Sequence, residues 1–272
     1  MKDAPHTLTP HSAVMVAISM IAALGAFAWP LIVPPSAGLQ QQTLAPFMLA
    51  AILPLILAVT VSEVVNRTMD VKALALLGVL TAVGAVVRAL GAGTAGIQGV
   101  FFVLVIAARV FGPGFGLVLG STTLITSALL TAGVGPWLPY QMLASGLFAA
   151  GAGLLPRVRG WAEIAMLAGY GFIGSFIFGW LMDFAFWPLA AGYSSELSFD
   201  PAASAWQNLQ TFFWFNLATS MSFNLGRAIT TTVLVIVVGR PLLLMLRRAA
   251  RKAWFVDAPD SSPADTPRGG FG

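Results

Sequence analysis

The chain contains no cysteine, and its only two histidines, His6 and His11, both lie near its start. Without cysteine there is no disulfide, no thiolate nucleophile and no cysteine-held metal. With both imidazoles in the lead-in, the apolar segments can assemble neither a histidine metal site nor a Ser-His-Asp triad. No catalytic residue, no metal and no cofactor is therefore expected. Charge is scarce too, at 9% of 272 residues, against roughly a quarter in soluble domains. No basic run interleaves with aromatics inside a folded region, so nucleic acid is not an expected partner. The phosphate-binding pattern G-x-x-x-x-G-K-[ST] occurs nowhere, so the chain carries no P-loop ATPase of its own.

What is present is hydrocarbon. Hydrophobic residues make up 58% of the chain, and mean hydropathy is +0.86. Eight apolar segments stand out, at 12–33, 45–62, 71–90, 97–110, 114–130, 137–155, 161–187 and 211–246. Most approach the roughly 20 residues that a spanning helix needs. The first is too long for a signal-peptide core and reads as a retained helix. Segment 97–110 is short, and is expected to be tilted, partly re-entrant or supplemented by flanking residues. Segment 211–246 is overlong, so its end is expected to project beyond the bilayer. Strand-type alternation is absent, and in lipid an unpaired backbone group is costly, so helices are the expectation throughout.

Loop charges set an orientation. The basic cluster Arg247, Arg248, Arg251 and Lys252 follows the last segment and reads as a cytoplasmic anchor. Counting back through eight spans places Arg157, Arg159, Arg109, Arg67, Lys72 and Lys2 on the same side. The opposite loops, 34–44, 91–96, 131–136 and 188–210, contain no lysine or arginine. Eight spans with both termini inside follow from that asymmetry, and a six- or seven-span count would need a pair of segments to be re-entrant. The tail 257–272, rich in Pro, Ser, Asp and Gly, is expected to be disordered and cytoplasmic.

Gly91, Gly93 and Gly96, and again Gly169, Gly171 and Gly174, satisfy G-x-G-x-x-G. A dinucleotide site needs that pattern between a strand and a helix of a soluble unit. Here one falls in a loop and the other in an apolar helix, so both read as turn and packing glycines. Ala75, Gly78, Ala82, Ala85 and Ala89 recur at spacings of 3 and 4, a small-residue seam that lets another helix approach closely. Gly116 and Gly120 form a shorter pair of the same kind.

Polar groups within the spans carry the functional signal, because burying a charge there costs roughly 2.5–3.5 kcal/mol even on lenient scales. Arg88, Asp183 and Arg227 are not at an obvious cytoplasmic edge. Arg88 could snorkel to headgroups, and Asp183 and Arg227 could form a structural ion pair. Asn216, Ser220, Asn224 and Arg227 follow at spacings of 4, 4 and 3, a polar helix face that must meet protein or water. Gln98, Gln141 and Asn208 fall in the same half, as do Trp29, Trp137, Trp187, Trp206 and Trp214. The candidate substrate site is therefore Arg88, Gln98, Trp137, Gln141, Asp183, Asn216, Asn224 and Arg227. In it Arg88 and Asp183 would orient polar groups, and Trp137 would cover an apolar face.

The stretch VFFVLVIAARVFGPGFGLVLGSTTLITSALLTAGVGPWLPYQMLASGLFAAGAGLLP, residues 100–156, resembles the substrate-binding S component of energy-coupling factor (ECF) vitamin transporters, actinobacterial type. FGPGFGLVLG resembles the family's turn into a core helix, and GPWLPYQM with the glycine-rich helix after it is similar to those members. NLGRAITTTVLVIVVGRPLLLMLRR, 224–248, resembles their last helix. The likeness covers about two-thirds of the chain. It implies a six-helix core, here at 71–246 within a domain 71–256; the two apolar segments in 1–70 form an extension that departs from the family. It also implies capture of a vitamin-like small molecule from outside, and docking on a coupling membrane subunit driven by two cytoplasmic ATPases. The seam Ala75, Gly78, Ala82, Ala85 and Ala89 matches the family's docking position; because two helices precede the core, the Ala13/Ala17 pair on the first of them is the other candidate. No vitamin's ligand residues can be matched position by position.

The expectation is thus an all-α membrane protein of about eight transmembrane helices, not an enzyme, in a bacterial cytoplasmic membrane. A self-sufficient secondary transporter is the alternative, but it would need coupling-ion ligands at midplane and usually internal repeats.

Overall fold

The computed structural model describes residues 71–91, 96–189, 196–200 and 203–254, together with positions 14, 17, 18, 21 and 27. Those five positions are helical. The rest of the extension in 1–70 and the tail 257–272 lie outside the described residues. Among these residues the chain forms seven α-helices and no strand: α1 (Val71–Leu90), α2 (Val100–Phe111), α3 (Pro113–Leu130), α4 (Leu138–Leu154), α5 (Trp161–Phe186), α6 (Ala205–Thr219) and α7 (Met221–Trp254).

Four helices, α1, α3, α5 and α7, are long and apolar enough to cross a membrane. Their outward faces carry Val79, Val83, Ile173, Ile177, Ile229 and Val237, all at least 46% exposed. So much contiguous apolar surface is an aggregation hazard in water and an ordinary boundary in lipid. The chain is a helical, multi-pass membrane protein.

Helix α2 is the axis of the bundle. Ten of its twelve residues are buried, with α3, α4 and α7 packed around it. At 1.5 Å per residue it is about 18 Å long, short of the roughly 30 Å hydrocarbon core. Segment 97–110 thus holds a short central helix wrapped by others. Its end is set by Gly112, whose φ of +94° only glycine adopts cheaply and whose N–H bonds the Ala108 carbonyl. Pro113 then opens α3 at a position where a missing N–H costs nothing.

The tightest packing joins α3 to α4. A methyl group at Gly120 would run into the Ser145 carbonyl, and one at Gly116 into the Ala149 backbone. The Gly116/Gly120 pair is thus an internal seam. The α1 seam is divided. Ala75, Gly78 and Ala82 are exposed, whereas Ala85 is buried and Ala89 half-buried. A spacing that averages 3.5 drifts around a 3.6-residue helix. The drift turns the later residues towards α3, where Thr81 bonds Thr122 at 3.0 Å.

The final segment, 211–246, departs from expectation. It is two helices divided at Ser220, so the core has seven helices where six were expected. α6 begins at Ala205, fixed by a capping box in which Ser204 and Gln207 exchange side-chain and backbone bonds. At its other end the Thr219 hydroxyl bonds the Phe215 carbonyl at 2.8 Å, the kind of back-bonding that bends helices. Bonds from Ser220 N–H to the Asn216 carbonyl and from Asn224 N–H to the Ser220 carbonyl bridge the break. They keep Asn216, Ser220 and Asn224 on one side despite it.

Candidate functional site: a charged cavity between helices

A cavity of about 360 Å³ opens between the C-terminal ends of α1 and α5, the N-terminal ends of α2, α4 and α7, and the break at Ser220. Its polar wall holds Arg88, Gln98, Gln141, Asp183, Asn224 and Arg227. Its apolar wall includes Phe101, Phe178, Met182 and Phe223.

Arg227 is the most enclosed charge of the cavity, 7% exposed. Its guanidinium donates from Nε to Gln98 Oε1 at 3.3 Å. From Nη1 it donates to the Ser175 carbonyl and to Asn224 Oδ1, both at 3.1 Å. The rings of Phe101 and Phe178 flank it, their centroids 5.4 and 4.9 Å from its central carbon, a favourable arrangement for a cation in an apolar setting. Gly179 makes room for this group: a methyl there would overlap the Asn224 amide and press on the guanidinium. Gly96 seats the turn that carries Gln98. It has φ +82°, and a methyl on it would strike the Phe223 carbonyl.

Arg88 does not snorkel away. It donates from Nη1 to Ser127 Oγ at 2.9 Å and from Nη2 to Gln141 Oε1 at 3.1 Å, joining α1, α3 and α4. Asp183 accepts from the Asn216 side chain. It is close enough to Arg227 to interact electrostatically, but no salt bridge joins it to Arg227 or Arg88 among the described residues. The structural ion pair is not formed.

Of the eight residues expected at the site, six line this one cavity. Asn216 stands behind Asp183 and orients it. Trp137 does not join them: its side chain folds over its own turn, donating to the Gly133 carbonyl at 3.3 Å, and is 43% exposed. The aromatic surface comes instead from Phe101, Phe178 and Phe223. The other tryptophans do not form a vestibule either. Trp206 and Trp214 are 67% and 58% exposed, as a membrane belt would be. Trp187 is buried, edge-to-face with Phe199 and tilted against Phe212, and it donates to the Leu197 carbonyl. Asn208 ties the 196–200 turn through the Asp200 backbone. Trp29 lies outside the described residues.

A second charged cluster was not expected. At the other end of the bundle Glu163, 2% exposed, accepts from Arg109 Nε at 2.7 Å and from Arg247 Nη2 at 2.6 Å. Arg109 also donates to the Leu155 and Pro156 carbonyls at 2.7 and 2.9 Å, closing the C-terminus of α4. Glu163 and Asp183 stand twenty residues apart on α5, and Arg227 and Arg247 are equally far apart on α7. On each helix that is about 30 Å, the thickness of a hydrocarbon core.

No family model matches the chain, and neither a curated protein nor a solved structure does.

Proposed function

We propose that the chain is the substrate-capturing membrane subunit of an ECF-type importer. On this reading it takes a vitamin-like small molecule from outside and docks on a coupling subunit served by two cytoplasmic ATPases. The observation that carries it is the cavity: three charged side chains and three amides meet apolar walls around about 360 Å³ of free space. Concave sites with apolar walls and a few converging polar groups are what small-molecule binding requires. That volume is near the lower end of the usual range of roughly 300–1,000 Å³. It suits a solute of one or two rings and disfavours a corrinoid.

The likeness of 100–156 and 224–248 to S components supports the class. So does the charge asymmetry of the loops, which would put the cavity outside, with eight spans and both termini in the cytoplasm. The exposed half of the α1 seam, Ala75, Gly78 and Ala82, is the surface offered to the coupling subunit. Ala85 and Ala89 hold α1 to its own bundle instead.

Reconstitution tests the reading. Proteoliposomes with the chain alone should retain the compound that co-purifies with it and not accumulate it. Accumulation should require the coupling subunit, both ATPases and ATP. A secondary transporter is the other reading, favoured by Asp183, a carboxylate within a span that could hold a coupling ion. Accumulation by the chain alone under an ion gradient would establish that reading and remove ours.

A further inference from the structure

Asn224 is 1% exposed and lines the cavity, yet its Nδ2 has no hydrogen-bond acceptor. The amide cannot be turned round to remove the problem. Its Oδ1 already accepts from Arg227 Nη1 at 3.1 Å, and a reversed amide would set donor against donor. Among the described residues, the other buried side-chain polar atoms without partners are the hydroxyls of Thr123, Ser145 and Thr231. All three are on helices, where a hydroxyl can rotate to a carbonyl of the preceding turn. An amide N–H₂ has no such recourse. A buried donor left unpaired is a standing cost, and this one is beside a guanidinium.

The charges of the wall point the same way. Arg88 and Arg227 bring two positive charges and Asp183 one negative, leaving the empty cavity one positive charge in excess. Buried charge is tolerated when it is paired, and among the described residues none of the wall supplies the missing negative charge. Gln98 and Gln141 do not help, since each uses its Oε1 to accept from an arginine.

We propose that the captured solute is a small organic monoanion whose acid group, carboxylate or its equivalent, accepts from Asn224 Nδ2 beside Arg227. The inference rests on the capture reading above and adds the charge class of the substrate. Met182 and Phe223 face the rest of the molecule. Asp183, held by Asn216, receives a donor group on the solute.

The test uses the full-length chain in detergent, wild type and Asn224→Asp. This variant keeps the side-chain shape, keeps an acceptor for Arg227, and cancels the excess charge. Affinity-selection mass spectrometry measures retention of three matched sets: indole-3-acetate, indole-3-acetamide and tryptamine; benzoate, benzamide and benzylamine; nicotinate, nicotinamide and 3-picolylamine. The charge of any compound that co-purifies with wild type is read in the same instrument. A charged group's hydrogen bond is worth enough for the acid members to exceed their amides and amines by roughly tenfold or more, with that preference lost in Asn224→Asp. A co-purified compound should likewise be an acid. Equal or better retention of amides or amines, an acid preference unchanged in Asn224→Asp, or a neutral or cationic co-purified compound overturns the charge class and leaves capture standing. Retention of none, with nothing co-purified, overturns the capture reading and this inference with it.

Discussion

The two ends of the bundle solve the same problem in opposite ways. Each buries arginine with a carboxylate in a chain that has little charge to spend. At the Glu163 end the set is closed. One carboxylate takes both guanidinium groups, Arg109 spends its other donors on two carbonyls, and Glu163 is 2% exposed. At the Asp183 end the set is open. Two arginines find only amides, a hydroxyl and a carbonyl, the carboxylate is apart from them, and Asn224 Nδ2 has no acceptor. Buried charges that complete one another hold a fold together. Buried charges left incomplete around free space are arranged for something that arrives later.

The comparison breaks if the two ends respond alike to substitution. The largest expected effect is at the closed end. Glu163→Ala leaves two guanidinium groups without their carboxylate and should cost about 3–5 kcal/mol of stability, measured as a lower thermal unfolding midpoint in detergent. Next comes the corner of the cavity. Gly179→Ala drives a methyl into Asn224 and Arg227, an overpacking that costs about 1–3 kcal/mol. Much of that should fall on solute retention, read from the compound bound to purified protein.

Arg88→Gln should weaken retention roughly tenfold, the loss of about 1.4 kcal/mol in a charge-assisted contact. Its unfolding midpoint should shift far less than that of Glu163→Ala, because Arg88 is half-buried and its loss leaves only an uncharged hydroxyl and amide without their partner. The smallest effect belongs to Trp137→Phe. That side chain is outside the cavity, and its loss should alter stability by less than about 0.5 kcal/mol and retention not measurably. A strong retention defect in Trp137→Phe would return the aromatic wall to α4 and sharpen the map of the site.

Much of the cavity was legible in the sequence because polar atoms inside a span are expensive. Arg88, Gln98, Gln141, Asp183, Asn224 and Arg227 could each be picked out by asking what a side chain of that kind does in hydrocarbon. The closed cluster gave no such signal. Arg109 and Glu163 fall at segment edges, where charge is ordinary, and only the packing of α2 against α5 and α7 makes them partners. Phe101 and Phe178 were hidden among nineteen phenylalanines, indistinguishable from core until Arg227 is placed between them.

Two further differences have local causes. Position alone makes Trp137 a candidate ligand contact, but Gly135 leaves room for its ring to fold back on its own turn, where it bonds the Gly133 carbonyl. The break at Ser220 has neither proline nor glycine to mark it. Only the hydroxyls of Thr219 and Ser220, modest helix disruptors, distinguish it from the surrounding apolar run. The short length of 97–110 is plain, whereas its place at the centre of the bundle depends on five neighbouring helices and could not be read from the segment itself.

Native mass spectrometry of purified wild type, Arg88→Gln and Glu163→Gln, prepared side by side, tests the open-and-closed account most directly. The account predicts a small-molecule adduct on wild type and on the folded fraction of Glu163→Gln, and folded Arg88→Gln with that adduct reduced roughly tenfold. Arg88→Gln that holds the adduct as fully as wild type, or Glu163→Gln that folds normally and loses it, would contradict the account.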